Sequence, residues 1–305
     1  MELLYVLEGI RMPVLNEFML AITKLGEETA FLALAIIFYW CVDKKRGYLI
    51  MSVGFVGTMA NQFMKLWFRI PRPWVLDENF TILEQAREAA TGYSFPSGHT
   101  TGAVGTFGSI GVTAKHRWTA ILSVMLAALV SFSRMYIGVH TPQDVIVGAL
   151  TSVALIFLMK KVCMKDKGMN LLLAVMIAIS IGLLLFVECY PFPADVDPHN
   201  LESGVKNAYT MIGSLTGVAT VYFVEKRYIN FTEKAVWWAQ ILKAVLGLGA
   251  VLTVKEGMRA PLELLMGNEM IARSVRYFLI VLVAGILWPM TFRYFSKLGN
   301  AEVKL

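Results

Sequence analysis

Apolar runs close to twenty residues long recur along nearly the whole chain, and no other feature constrains the fold as much. A run of that length matches the hydrocarbon thickness of a bilayer when coiled as a helix, and in lipid only helices or closed barrels satisfy their own backbone groups. The runs lie at roughly 25–42, 47–68, 98–114, 118–138, 142–160, 169–189, 204–224, 235–254 and 271–294 of the 305 residues. The expected fold is therefore all-α, a polytopic transmembrane helical bundle of about nine spans. Composition agrees: 57% of residues are hydrophobic and only 16% charged, against about a quarter charged in a typical soluble domain.

Ahead of the first run, Val14, Leu15, Phe18, Met19 and Ile22 share one helical face, which predicts an amphipathic segment over residues 1–24 lying in the membrane interface. If residues 3–23 cross instead, the parity of the bundle changes. The N-terminus carries Glu2 and no basic n-region, so no cleaved signal peptide is expected. Cys41, Cys163 and Cys189 are odd in number and scattered, which indicates neither a disulfide framework nor a zinc site.

The net charge of +6 does not point to nucleic acid, because the basic residues sit in short loops on alternate sides of the spans. Lys44, Lys45 and Arg46, then Lys115 and Arg117, then Lys160, Lys161, Lys165 and Lys167 fall on one side, which reads as cytoplasmic. The opposite, outer side holds the long loop from about residue 69 to 98, the acidic loop after Cys189 and the turn around His140.

Three polar clusters fall at span ends on that outer side. In "KLWFRIPRP", Lys65, Arg69 and Arg72 would share a face if the helix continued, although Pro71 and Pro73 argue for its end before Arg72. In "FPSGHTTG", Ser97 is placed to cap a helix whose N-terminal N–H groups, with Gly98 leaving room beside them, make an anion site next to His99. In "SRMYIGVHTPQD", Thr141 and Pro142 open the next helix, with His140 in the turn and Asp144 in the first helical turn. Asp144 can cap that helix, or hold one imidazole nitrogen of His140 and leave the other unprotonated, or do both. Each cluster has an ordinary structural reading as snorkelling cations or a capped span start. Together they supply cations, helix-end N–H groups, two histidines and a carboxylate on one membrane face, the set that phosphoryl transfer requires.

These residues resemble the three motifs of the type 2 phosphatidic acid phosphatases. "K-x6-R-P" runs from Lys65 to Pro73, "P-S-G-H" from Pro96 to His99 and "S-R-x5-H-x3-D" from Ser133 to Asp144, in the family's order and without a substitution. The resemblance covers a six-span phosphatase core at about 25–190. The remainder, 191–305, reads as a C-terminal three-span extension. The nine-span layout is similar to that of the glucose-6-phosphatase and sphingosine-phosphate phosphatase branches.

The resemblance implies a metal-independent integral-membrane phosphatase without a cofactor. His140 would be the nucleophile that forms a phosphohistidine, Asp144 its orienting carboxylate, and His99 the acid for the leaving group and then the base for water. Lys65, Arg72, Ser97, Gly98 and Arg134 would hold the phosphate. Arg69 is not a motif position. The expected substrate is a lipid phosphomonoester or pyrophosphate at the outer face of a bacterial plasma membrane, with membrane lipids as surroundings and the oligomeric state left open. A soluble phosphoester such as a sugar phosphate, a phosphotransfer reaction and a non-catalytic lipid-binding or transport role are the alternatives. The last leaves the pair of histidines unexplained. The vanadium-dependent haloperoxidases resemble the same motifs but are soluble proteins, which this composition excludes. "DVDPHN", with Asp195, Asp197 and His199, reads as a solvated acidic loop in preference to a metal site.

Overall fold

The computed structural model describes residues 1–87, 90, 92–298, and among these there is no strand. Short helices α1 (Glu2–Gly9) and α2 (Pro13–Thr23) come first. Helix α3 (Glu28–Ile37) runs on into a π-helical turn at Phe38–Val42. Then come α4 (Lys44–Phe68), the one-turn α5 (Pro73–Leu76), α6 (Gly98–Thr113), α7 (Arg117–Tyr136), α8 (Pro142–Lys165) and α9 (Met169–Cys189). The chain continues through α10 (Pro198–Val224), α11 (Trp237–Gly257), α12 (Arg259–Met266) and α13 (Glu269–Leu282).

A helix thus stands at each apolar run. Among the described residues, five helical stretches are long and apolar enough to cross a membrane: Arg117–Tyr136, Pro142–Lys165, Met169–Cys189, Trp237–Met266 and Glu269–Phe295. The pair Pro13–Gly26 and Glu28–Val42, bent by 56°, is a sixth candidate as one broken span. Helices α4, α6 and α10 fall short of that measure for visible reasons. Helix α6 has 16 residues and a glycine at every third position from Gly102 to Gly111. Helix α4 carries Lys44, Lys45, Arg46, Asn61, Gln62 and Lys65, and α10 begins with His199, Asn200, Glu202 and Lys206. The protein is an all-helical, multi-pass integral membrane protein.

The chain divides into two compact units that interleave along the sequence. The first comprises Met1–Leu34, Leu49–Lys167 and Tyr190–Gly204, and the second Ala35–Tyr48, Gly168–Cys189 and Val205–Leu305.

In the first unit α6 is central, packed on α7 and α8. Its small residues explain the fit, because side chains at the contact would hold the backbones apart. A Cβ at Gly148 of α8 would lie 2.8 Å from the Ser97 carbonyl oxygen, so only glycine lets the two helix starts approach this closely. Helices α1 and α2 pack on α7. Arg11 ties them there, its Nε donating to the Tyr136 carbonyl (3.1 Å) and its Nη1 to that of Thr81 (2.9 Å), while Tyr136 Oη donates to Asn16 (2.8 Å).

The second unit is held by aromatic packing around a buried lysine. Lys243 Nζ donates to the carbonyls of Trp40 (2.9 Å) and Glu233 (3.0 Å) and sits 4.5 Å from the Phe292 ring centroid. Lys44 pairs with Glu225 at 2.6 Å. In α12, Arg259 and Glu263 are paired at 3.2 Å one turn apart.

Candidate active site

All eight residues singled out by the three motifs lie in the first unit. The helix start after His140 is closed by a reciprocal cap. Thr141 Oγ1 accepts from the Asp144 N–H (3.3 Å), and Asp144 Oδ2 accepts from the Thr141 N–H (2.7 Å). That cap fixes the carboxylate, and the same Oδ2 lies 3.4 Å from His140 Nδ1. The carboxylate that caps the helix thus also stands beside the imidazole. Gly138 makes the preceding turn possible. Its φ of +88° lies in the left-handed region, and a Cβ there would sit 2.8 Å from Arg11 Nη2.

The far side of the imidazole meets Arg72, whose Nη1 is 3.0 Å from His140 Nε2. A guanidinium has donors only, so Nε2 must be the acceptor, and the ring proton must sit on Nδ1, facing Asp144. The tautomer thus follows from the partners on both sides. His140 and Asp144 are almost completely buried. That burial holds the His140 imidazole well below its usual range, and the neighbouring cations Arg72, Arg134 and Lys65 push the same way, with His99 adding to them. Arg72 is itself lowered to about 10 by burial, against the pull of Asp144, so it stays charged at neutral pH.

The cations come from three elements. Helix α4 ends at Phe68, and Arg69 follows with a left-handed φ of 49°, its Nη1 turned back on the Leu66 carbonyl. The shared face considered for Lys65, Arg69 and Arg72 is therefore broken at Arg69. Pro71 and the restriction it places on Ile70 make continued helix unfavourable here. Lys65 Nζ donates to the Tyr93 carbonyl (3.0 Å). Arg72 Nε and Nη1 donate to the carbonyls of Gly92 and Val139 (both 2.9 Å). Arg134, in the last turn of α7, donates to Thr23 Oγ1 (2.7 Å), and its buried Nε has no hydrogen-bond partner.

Ser97 caps α6 as expected, its Oγ accepting from Thr100 N–H (3.4 Å). One expectation changes. The Ser97 N–H is already committed to the Asp144 carbonyl (3.0 Å), because α8 closes on the start of α6. The donors at that helix start are the N–H groups of Gly98 and His99, which have no acceptor among the described residues. His99 lines a cavity beside α6.

Sequence reasoning missed three residues. Ser94 is fully buried, its Oγ donating to Asp144 Oδ2 (2.5 Å) and lying 3.4 Å from His140 Nδ1. Asn200, from the acidic loop, accepts the Tyr93 N–H on Oδ1 (2.8 Å) and so braces the segment that carries Ser94. Thr23 meets Arg134 from the N-terminal helices. Only Ser94 carried a local signal, standing three residues before the Ser97 cap. Asp197 in the same loop accepts from the His199 N–H and from Asn200 Nδ2 (both 2.9 Å). Among the described residues, no three His, Cys, Asp or Glu side chains are grouped so as to hold a metal ion.

Comparison with known proteins places the chain. A family model described as "PAP2 superfamily" matches residues 46–167, and a second, "PAP2 superfamily phosphatase, transmembrane extension", matches 209–301. Phosphatidylglycerophosphatase B of Bacillus subtilis (strain 168) is 31% identical over 164 residues, covering 50% of this chain and 76% of its own length. The undecaprenyl-diphosphatase of Sulfolobus acidocaldarius is 30% identical over 49% of this chain and 71% of its own. Undecaprenyl-diphosphatase BcrC of B. subtilis is 30% identical over 48% and 73%. A crystal structure of a transmembrane PAP2 type phosphatidylglycerolphosphate phosphatase from B. subtilis covers 54% of this chain and 84% of its own at 29% identity, with a TM-score of 0.45. The named relatives are phosphoric ester hydrolases, and the matched region holds every motif residue described above. The chain belongs to the PAP2 superfamily.

Proposed function

We propose that the protein is an integral-membrane phosphatase that hydrolyses lipid phosphomonoesters or diphosphates through a phosphohistidine on His140. The observation that carries this reading is the state of the imidazole. Its proton is held on Nδ1 by Asp144 and Ser94, so the lone pair of Nε2 points at Arg72. A phosphate entering between them would take over the Arg72 donors and meet that lone pair. Nε2 then attacks phosphorus, the bond to the leaving oxygen breaks, and His99 gives that oxygen a proton. His99 next removes a proton from water, which attacks phosphorus and releases phosphate and neutral His140. Lys65, Arg72, Arg134, the Ser97 hydroxyl and the N–H groups of Gly98 and His99 would hold the phosphoryl oxygens. The orphaned Nε of Arg134 is a buried donor that such an oxygen would satisfy.

All nine helices at the apolar runs would cross the membrane, with α1 and α2 lying against the end of α7. The basic loops would face the cytoplasm, which puts the site on the outer face, in a bacterium the exterior of the plasma membrane. Lipid substrates are favoured over soluble phosphoesters because relatives of three kinds are named for lipid phosphates. The purified protein should release phosphate from phosphatidylglycerophosphate or an isoprenoid diphosphate in excess EDTA, and His140→Ala should abolish the release. Full activity in that variant would overturn the mechanism, and release from sugar phosphates alone would overturn the substrate class.

A further inference from the structure

His99 lies within reach of the charges of Arg134, Lys65 and Arg72. It also lines a cavity of about 210 Å³, room for a small polar group with some water. Gly98, His99, Thr101 and Gly102 of α6 form one wall. Glu27, just ahead of α3, and Glu28 and Phe31 within it line the cavity too, with Thr58 and Asn61 from the second half of α4. None of Lys65, Arg72, Ser94, Arg134, His140 or Asp144 lines it. An in-line displacement sends the leaving group away from the nucleophile and toward the acid. A cavity that opens on the acid but not on the nucleophile therefore lies on the leaving-group side.

The walls have a definite polarity. The carboxylates of Glu27 and Glu28 are acceptors. Asn61 spends its amide donor on the Pro96 carbonyl (3.2 Å) and the Thr101 hydroxyl (3.5 Å). Its Oδ1 faces Gly98, 3.5 Å from where a Cβ would stand. Glu27 is half-buried, so its charge is less screened than that of a surface carboxylate. Two carboxylate side chains and an amide thus stand among the residues lining the cavity, with Glu27 within reach of the Arg134 charge.

We infer that this cavity binds the leaving alcohol, and that it selects an alcohol carrying hydrogen-bond donors near the scissile oxygen, a hydroxyl or an ammonium, while disfavouring diphosphates. The inference rests on the phosphatase reading with His99 as the acid. In a diphosphate the leaving group is itself a phosphate. Its negative charge would be pressed against Glu27 and Glu28. A glycerol-type hydroxyl or an amino group would instead donate to them.

The test compares kcat/KM of the full-length protein on four substrates in one detergent. Phosphatidylglycerophosphate carries a hydroxyl on its leaving alcohol, a sphingoid-base phosphate carries an amine, phosphatidic acid carries neither, and farnesyl diphosphate leaves a phosphate. Glu27→Gln should lower kcat/KM on the hydroxyl or the amine substrate by about tenfold, the worth of a hydrogen bond to a charged group. It should leave phosphatidic acid within about twofold and raise turnover of the diphosphate. Which of the two donor-bearing substrates falls further identifies the donor. Glu28→Gln, at an exposed position, should give the same order of effects and serves as the measurement if Glu27→Gln does not fold. Equal change on all four substrates, or no change in either variant, overturns the inference. Failure of the unmodified protein to release phosphate from any of them overturns the phosphatase reading instead.

Discussion

Replacing Asp144 by asparagine isolates the feature on which the chemistry turns. An asparagine oxygen can still accept from the Thr141 N–H, so the cap of α8 and the fold survive. The oxygen that caps the helix is the same atom that faces His140 Nδ1, so the Nδ1 proton and the Nε2 lone pair are kept and only the charge is removed. The phosphorylated imidazole carries positive charge, and a carboxylate 3.4 Å away stabilises it by up to about 5 kcal/mol at an effective dielectric near 20. A loss of about 3 to 5 kcal/mol, at 1.36 kcal/mol per decade, predicts a fall in kcat of about 10²- to 10⁴-fold. The substrate is gripped by the cations, so KM should hardly move. Steady-state phosphate release with a thermal-unfolding control measures all three quantities. A change confined to KM, a loss below about tenfold, or a drop in Tm that explains the lost activity would refute the charge argument.

Two further outcomes follow from the same geometry. Ser94→Ala removes the 2.5 Å donor to Asp144 and the contact to His140. It should lower kcat by about tenfold while leaving the fold intact, with Ser94→Thr recovering part of the loss in the same assay. Burial holds His140 well below 6.5 in the folded protein, so the acid limb of kcat/KM should lie well below pH 6.5. The sign for stability agrees. As pH falls through 6.5 the unfolded chain takes up a proton that the folded chain refuses, so stability declines until the folded pKa is reached. Melting curves of wild type and His140→Ala against pH should diverge in that window, and parallel curves would contradict the shift.

The helices at the nine apolar runs, the Ser97 cap and the Thr141-Pro142 helix start were legible in the sequence because each depends on local patterning. The partnership of Asp144 with His140 was legible for the same reason, since both sit in one turn. Ser94, Asn200 and Thr23 were not, because each reaches the site across a long stretch of chain: 46 residues from Ser94 to His140, 107 from Tyr93 to Asn200 and 111 from Thr23 to Arg134. Arg69 shows the opposite error. Its spacing from Lys65 and Arg72 fits a helix that the following residues do not continue. The loss of the Ser97 N–H to the Asp144 carbonyl was also invisible, since it depends on how closely Gly148 lets α8 approach α6.

The central claim is that phosphorus is transferred to Nε2 of His140, and trapping tests it most directly. An aryl phosphate has a leaving group that needs no proton, so the His99→Ala variant should still form the phosphoenzyme but hydrolyse it slowly. After a rapid quench in base, mass spectrometry of that variant should find a base-stable, acid-labile phosphate on the peptide containing His140. His140→Ala should yield none. Phosphate on any other residue, or turnover of the aryl phosphate without a trapped His140 species, would contradict the mechanism.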